Sequence, residues 1–167
     1  MSLALVGSLV SACGHTNDRS PAQKCTDRQL SMLSQLKELA VLDQHPTTSI
    51  SNNRVAVCAD DGRDVQVSNE YQTLLPPADI HTFYTDVAHT DGWHALRVND
   101  PPINDPNPQD SGQDILCATR DIDGTPVYLE VWYPDADSDL ITNGDPGKVY
   151  FVDASLESRN DDTCLTE

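Results

Sequence analysis

Basic residues are scarce in this chain. Ten Lys and Arg stand against 27 Asp and Glu, a formal net charge of −17. That deficit excludes nucleic acid and anionic lipid headgroups as electrostatic partners, because both are bound through basic patches. Long apolar runs are missing as well. A membrane-spanning helix needs about 20 apolar residues; Met1 to Ala12 offers 12, and polar Gly14-His15-Thr16-Asn17 follows almost at once. No CxxC pair occurs, which removes the usual zinc and thioredoxin-like redox arrangements. G-x-S-x-G, Walker and H-E-x-x-H motifs are absent too. Nothing in the sequence calls for a cofactor. What remains is one acidic domain of ordinary size in 167 residues, long enough to bury a core of its own.

The segment closing on Leu9-Val10-Ser11-Ala12-Cys13 resembles a bacterial lipoprotein signal: a short apolar core, small residues, then a cysteine that takes the lipid. No Lys or Arg precedes Cys13, where such signals carry a basic segment. The resemblance implies a chain anchored by lipid on the extracytoplasmic face of the cell membrane. It divides the chain into a signal segment (1–13), a polar tether (14–24) and a single domain (25–167). It also accounts for an odd count of five cysteines. With Cys13 lipidated, Cys25, Cys58, Cys117 and Cys164 form an even set, which in an exported chain reads as two disulfides. Of the three pairings, Cys58–Cys117 and Cys25–Cys164 are expected, because the first two fall in strand patterns and the last two would join the ends of the domain.

Two helices are expected. Thr26 and Gln29 spell a capping box, followed by Leu30, Leu33, Leu36 and Ala40 at helical spacing, with Met32 and Leu39 widening the stripe. The second opens at Pro76-Pro77, places Ile80, Phe83, Tyr84, Val87 and Ala88 on one face, and stops at Gly92 with Trp93 folding back. Its other face, with His81, Thr82, Thr85, Asp86 and His89, is expected to be wet. Strand patterns cover 54–72 as a hairpin, His94 to Val98, a second hairpin from Ile115 to Tyr133 about Asp123-Gly124, and Lys148 to Ala154. The implied fold is α+β, an antiparallel sheet of about five to six strands with both amphipathic helices packed on one face.

Phe83-Tyr84 followed by Gly92-Trp93, leading into cysteine-bearing strands, resembles a pattern in small secreted lipoproteins of high-GC Gram-positive bacteria. The resemblance covers 54–133 loosely and implies an envelope location; it carries no catalytic residue.

Few constellations bear chemistry. Asp135, Asp137 and Asp139 alternate as in the start of an EF-hand loop, but Leu140 and Pro146 stand where that loop needs Gly and Glu. A looser calcium site with Asp145 or Asp123 is the weaker alternative to a solvated acidic loop. His89, Asp91 and His94 bracket a helix stop, so their side chains are expected to diverge. Tyr128, Trp132 and Tyr150 are read as sharing one sheet face, a candidate surface for a protein or glycan partner; burial in the core is the alternative. The expected function is a non-catalytic envelope module binding a protein or small ligand. A small hydrolase with an Asp-based site, or an acidic immunity- or inhibitor-type partner of a basic protein, are the competing readings.

Overall fold

Thr26 and Gln29 close the capping box in the computed structural model, which describes residues 25–58, 64–97, 114–134 and 148–156. The Thr26 N–H donates to Gln29 Oε1 at 2.9 Å, and Thr26 Oγ1 accepts from the Gln29 N–H at 3.3 Å. Helix α1 (Asp27–Lys37) follows, then a 3₁₀ turn at Ala40–Leu42. Leu33, Leu36 and Leu39 are buried as expected, but Gln29 is buried in place of Leu30, and Leu30 and Ala40 are exposed. At Leu30 the reason is Gln29. Its Nε2 also donates to the Asp64 carbonyl at 3.2 Å, which turns position 29 to the sheet and carries Leu30 about 100° round the helix.

Six strands form one antiparallel sheet: β1 (Ile50–Cys58), β2 (Val65–Gln72), β3 (His94–Arg97), β4 (Asp114–Ile122), β5 (Thr125–Trp132) and β6 (Val149–Ser155). Their spatial order is β1-β2-β6-β5-β4-β3. Helix α2 (Pro77–Thr90) carries the chain from β2 to the far edge, and β6 returns last to lie between β2 and β5. The fold is therefore α+β, with α1 and α2 contributing to one core on one face. Leu33, Leu36, Ile80, Tyr84 and Ala88 pack there with Val65, Val67, Leu129, Val131, Val152 and Ala154.

Local signals act as expected at two turns. Gly92 has φ +78°, its N–H donates to the His89 carbonyl, and the Trp93 N–H donates to the Ala88 carbonyl at 2.9 Å. That pair of bonds is a Schellman motif, possible because glycine adopts positive φ without a Cβ clash. Trp93 is buried in the core. At the β4–β5 turn Asp123 (φ 53°) and Gly124 (φ 81°) take the left-handed pair of a type I′ hairpin. The Gly124 N–H also donates to Asp121 Oδ1 at 2.7 Å.

The expected cysteine pairing is wrong. Cys25 is bonded to Cys58, with Cα atoms 5.7 Å apart. Strands β2, β6 and β5 stand between β1 and β4, so Cys58 and Cys117 are separated by four strand spacings, about 19 Å, far beyond the reach of a disulfide. Cys25, already taken, is closed to Cys164. Cys117 is itself in a disulfide, with a partner outside the described residues, where Cys13 and Cys164 also lie.

The wet face of α2 is only partly wet. Thr82, Asp86 and His89 are exposed, but His81 and Thr85 are half-buried, with Nε2 and Oγ1 closed to solvent.

Candidate functional site

Strand parity and register decide which side chains share a surface. On the face opposite the helices, Ser68, Asp153, Glu130 and Cys117 form one cross-strand row over β2, β6, β5 and β4. Glu70, Phe151 and Trp132 form the next row. Both rows are buried except at Ser68, which is half-buried. Glu130 and Asp153 are each 1% exposed, and Trp132 and Phe151 are buried with their rings stacked at 4.6 Å. Asp153 Oδ2 accepts from Trp132 Nε1 at 2.8 Å and from Gln66 Nε2 at 2.9 Å. Glu70 Oε1 accepts from Asn52 Nδ2 at 3.0 Å. Hydrogen bonds of this kind are what make a buried carboxyl group tolerable.

This carboxylate row was missed in the sequence, although a signal existed. Val149-Tyr150-Phe151-Val152 is continuously apolar, the mark of a strand buried on both faces. An Asp next in that run is therefore a buried Asp, and its cross-strand neighbours inherit the question.

The three aromatics proposed as one surface do not share a face. Tyr128 and Trp132 point away from the helices, while Tyr150 pairs with Tyr71 on the helix side and is fully buried. Strand β6 alternates like any strand, and Tyr150 has the parity of Val152, not of Phe151. Trp132 is buried, so it offers no open platform.

Tyr150 belongs instead to a tyrosine cluster within the core. Its ring stacks on Tyr71 at 5.4 Å and meets Tyr84 edge-on at 5.9 Å and Tyr133 at 6.1 Å. Tyr84 Oη donates to the Gln44 carbonyl at 2.9 Å, and the Leu42 carbonyl accepts from both Tyr71 Oη and Asn69 Nδ2. Burial, which disfavours the phenolate, pushes Tyr150 up to about 12 and raises Tyr71, Tyr84 and Tyr133 as well. Tyr71 and Tyr84 are the donors that fasten residues 42–44, the first to β2 and the second to α2. They are not acids poised for catalysis near neutral pH.

Among the described residues, one shallow cleft and one open strand edge face solvent. A shallow cleft of about 500 Å³ lies between the end of α1 and the β4–β5 turn, lined by Ser34, Gln35, Glu38, Arg120, Asp121 and Asp123 among others. Gln35 Nε2 bridges it loosely to Asp123 Oδ2 at 3.5 Å. The other feature is the outer edge of β1. The helix-side positions of β1 are Ala56 and Cys58, set by their pairing with Val67 and Val65 and by the disulfide. Val55 and Val57 consequently point outward, 46% and 47% exposed, and Ile50 is 65% exposed. Arg54, the one charged side chain in β1, is held by Asp43 at 3.0 Å and Asn69 at 2.7 Å.

Among the described residues no group of three His, Cys, Asp or Glu side chains could hold a metal ion. His89 and His94 are exposed on either side of the Gly92 helix stop. Asp135, Asp137 and Asp139 lie outside the described residues, as does Asp145. No helix among the described residues is long and apolar enough to cross a membrane. No protein-family model, curated protein or solved structure matches the chain.

Proposed function

We propose that this chain is a non-catalytic protein-binding module of the cell envelope, anchored through lipidated Cys13, with strand β1 as its contact edge. One observation carries the binding reading. A nine-residue edge strand leaves one side of its backbone unpaired among the described strands and turns Ile50, Val55 and Val57 to solvent. Such an edge templates the addition of another strand unless it is blunted. Here the protection is slight: one bulge near Ser51 and Asn53 and one charge, Arg54, already paired. The edge presents valines and isoleucine rather than aromatic ring faces, which favours an extended protein segment over a glycan. The net charge of −17 favours a basic partner and disfavours a second copy.

Disulfides at Cys25, Cys58 and Cys117 support an oxidising, extracytoplasmic compartment. The hydrolase reading has less support, since the paired carboxylates Glu130 and Asp153 are sealed from water.

Two experiments test this. Globomycin should leave the precursor unprocessed; unchanged mobility would remove the anchor. A photocrosslinking residue at Ser51 should capture a partner in membranes from the native host, and V55K/V57K should abolish that adduct while melting like the wild type. An adduct of equal yield in the double variant would sink the edge as the contact surface.

A further inference from the structure

The Cys25–Cys58 bond fixes where the chain enters the domain, and therefore which end of the sheet lies nearest a lipid anchor. Cys58 is the last residue of β1. At that same end lie Asp64, whose carbonyl accepts from Gln29, the Asp123–Gly124 turn, and Leu156, whose N–H donates to the Val65 carbonyl at 3.2 Å. The opposite end holds the turn before Ile50, where the Ser49 N–H donates to the Pro46 carbonyl at 2.8 Å, and Thr73, whose N–H donates to the Lys148 carbonyl at 2.7 Å. The nine residues of β1 set these ends about 30 Å apart.

We infer that the anchored domain stands on its Cys25–Cys58 end, with the turn at 46–49 outermost. This rests on the reading of Cys13 as the lipidated residue. From Cys13 to Cys25 the chain reaches about 40 Å even when fully extended. To invert the domain, about 30 Å of that reach must run alongside the sheet, leaving almost no conformational freedom and little length to clear the headgroups. Unwinding α1 from its start would lengthen the leash, but the disulfide holds Cys25 to β1 and closes that route. The open edge of β1 then runs outward from the bilayer, with its Ile50 end presented to partners from outside.

The test uses the full acylated chain in phosphatidylcholine vesicles carrying a headgroup quencher. A fluorophore is placed through a bioorthogonal residue at Arg28 or at Thr48, both exposed, leaving every cysteine intact. The Arg28 reporter should lose most of its emission and the Thr48 reporter should keep most of its own. Equal quenching, or the reverse order, in protein that floats with the vesicles overturns the orientation but leaves the anchor standing. Protein that fails to float overturns the anchor, and the orientation with it.

Discussion

Glu130 on β5 and Asp153 on β6 are direct cross-strand partners, and both are buried on the sheet face turned away from the helices. Buried carboxyl groups opposed in this way need hydrogen-bond donors about them. Trp132 and Gln66 supply two such donors to Asp153, and these bonds tie β2, β5 and β6 together across the middle of the sheet. Removing the acceptor leaves both N–H groups without it. Asp153→Ala is therefore expected to cost about 3 kcal/mol, and Asp153→Asn, which keeps one carbonyl acceptor, about half of that. Urea unfolding measures both. A D153A variant as stable as the wild type would show that the network does not hold the strands.

The tyrosine cluster predicts how the domain fails in alkali. Tyr150 is raised from 10.0 to about 12 by burial, so the native state keeps a proton that the unfolded chain releases near pH 10. The stability from Tyr150 is fully present below pH 10. It declines as pH rises toward 12, by about 3 kcal/mol. Tyr71, Tyr84 and Tyr133 are shifted in the same direction and deepen the loss. Phenolate absorbance from the cluster should rise together with the loss of far-ultraviolet ellipticity, as one transition. Ionisation of these four phenols ahead of unfolding, followed by comparing the single Tyr→Phe variants, would contradict the packing described.

The Cys25–Cys58 crosslink closes a separation of 33 residues. Its loss in C25S/C58S should destabilise the domain by up to about 4 kcal/mol in the chain-entropy account. Non-reducing peptide mapping should return Cys25 linked to Cys58. The same map bears on the anchor: a thioether-modified Cys13 cannot form a disulfide, so Cys117 should appear linked to Cys164. A Cys13–Cys117 peptide would overturn lipidation at Cys13.

Gly92 and Gly124 are held at positive φ, and a Cβ at either would meet no atom within 4 Å. The penalty for alanine is then backbone strain alone, about 1–2 kcal/mol at each site. Denaturant midpoints for G92A and G124A should fall by similar amounts and add in the double variant, since the two turns are independent. A much larger loss at Gly92 would mean that the Schellman turn positions Trp93 through contacts beyond its own hydrogen bonds.

The elements that were readable in advance share a common cause. Thr26 with Gln29, Gly92 with His89, Trp93 with Ala88, and Gly124 with Asp121 all make their decisive bonds within a few residues. Strand parity was readable only where one face was clearly apolar. In β5 it placed Val127, Leu129, Val131 and Tyr133 together in the core. In β1 every second residue could be the inward one, and Val55 and Val57 look more apolar than Ala56. Their outward orientation follows from Cys58 meeting Cys25 and from register with β2. The buried stripe of α1 likewise turned on a contact from Gln29 to Asp64, 35 residues away.

By itself, then, the sequence determined the helices, the two hairpins and the α+β class, because capping, turn chemistry and periodicity are short-range properties of the chain. Tertiary structure alone decided the strand order, the cysteine pairing, the opposite faces of Tyr150 and Trp132, and the burial of Glu130 beside Asp153. The strand order, the faces of Tyr150 and Trp132 and the Glu130–Asp153 pair depend on β6 arriving last to lie between β2 and β5, and the cysteine pairing on α1 docking beside β1. The bond from Gln66 to Asp153 spans 87 residues, a distance over which no local pattern specifies a neighbour.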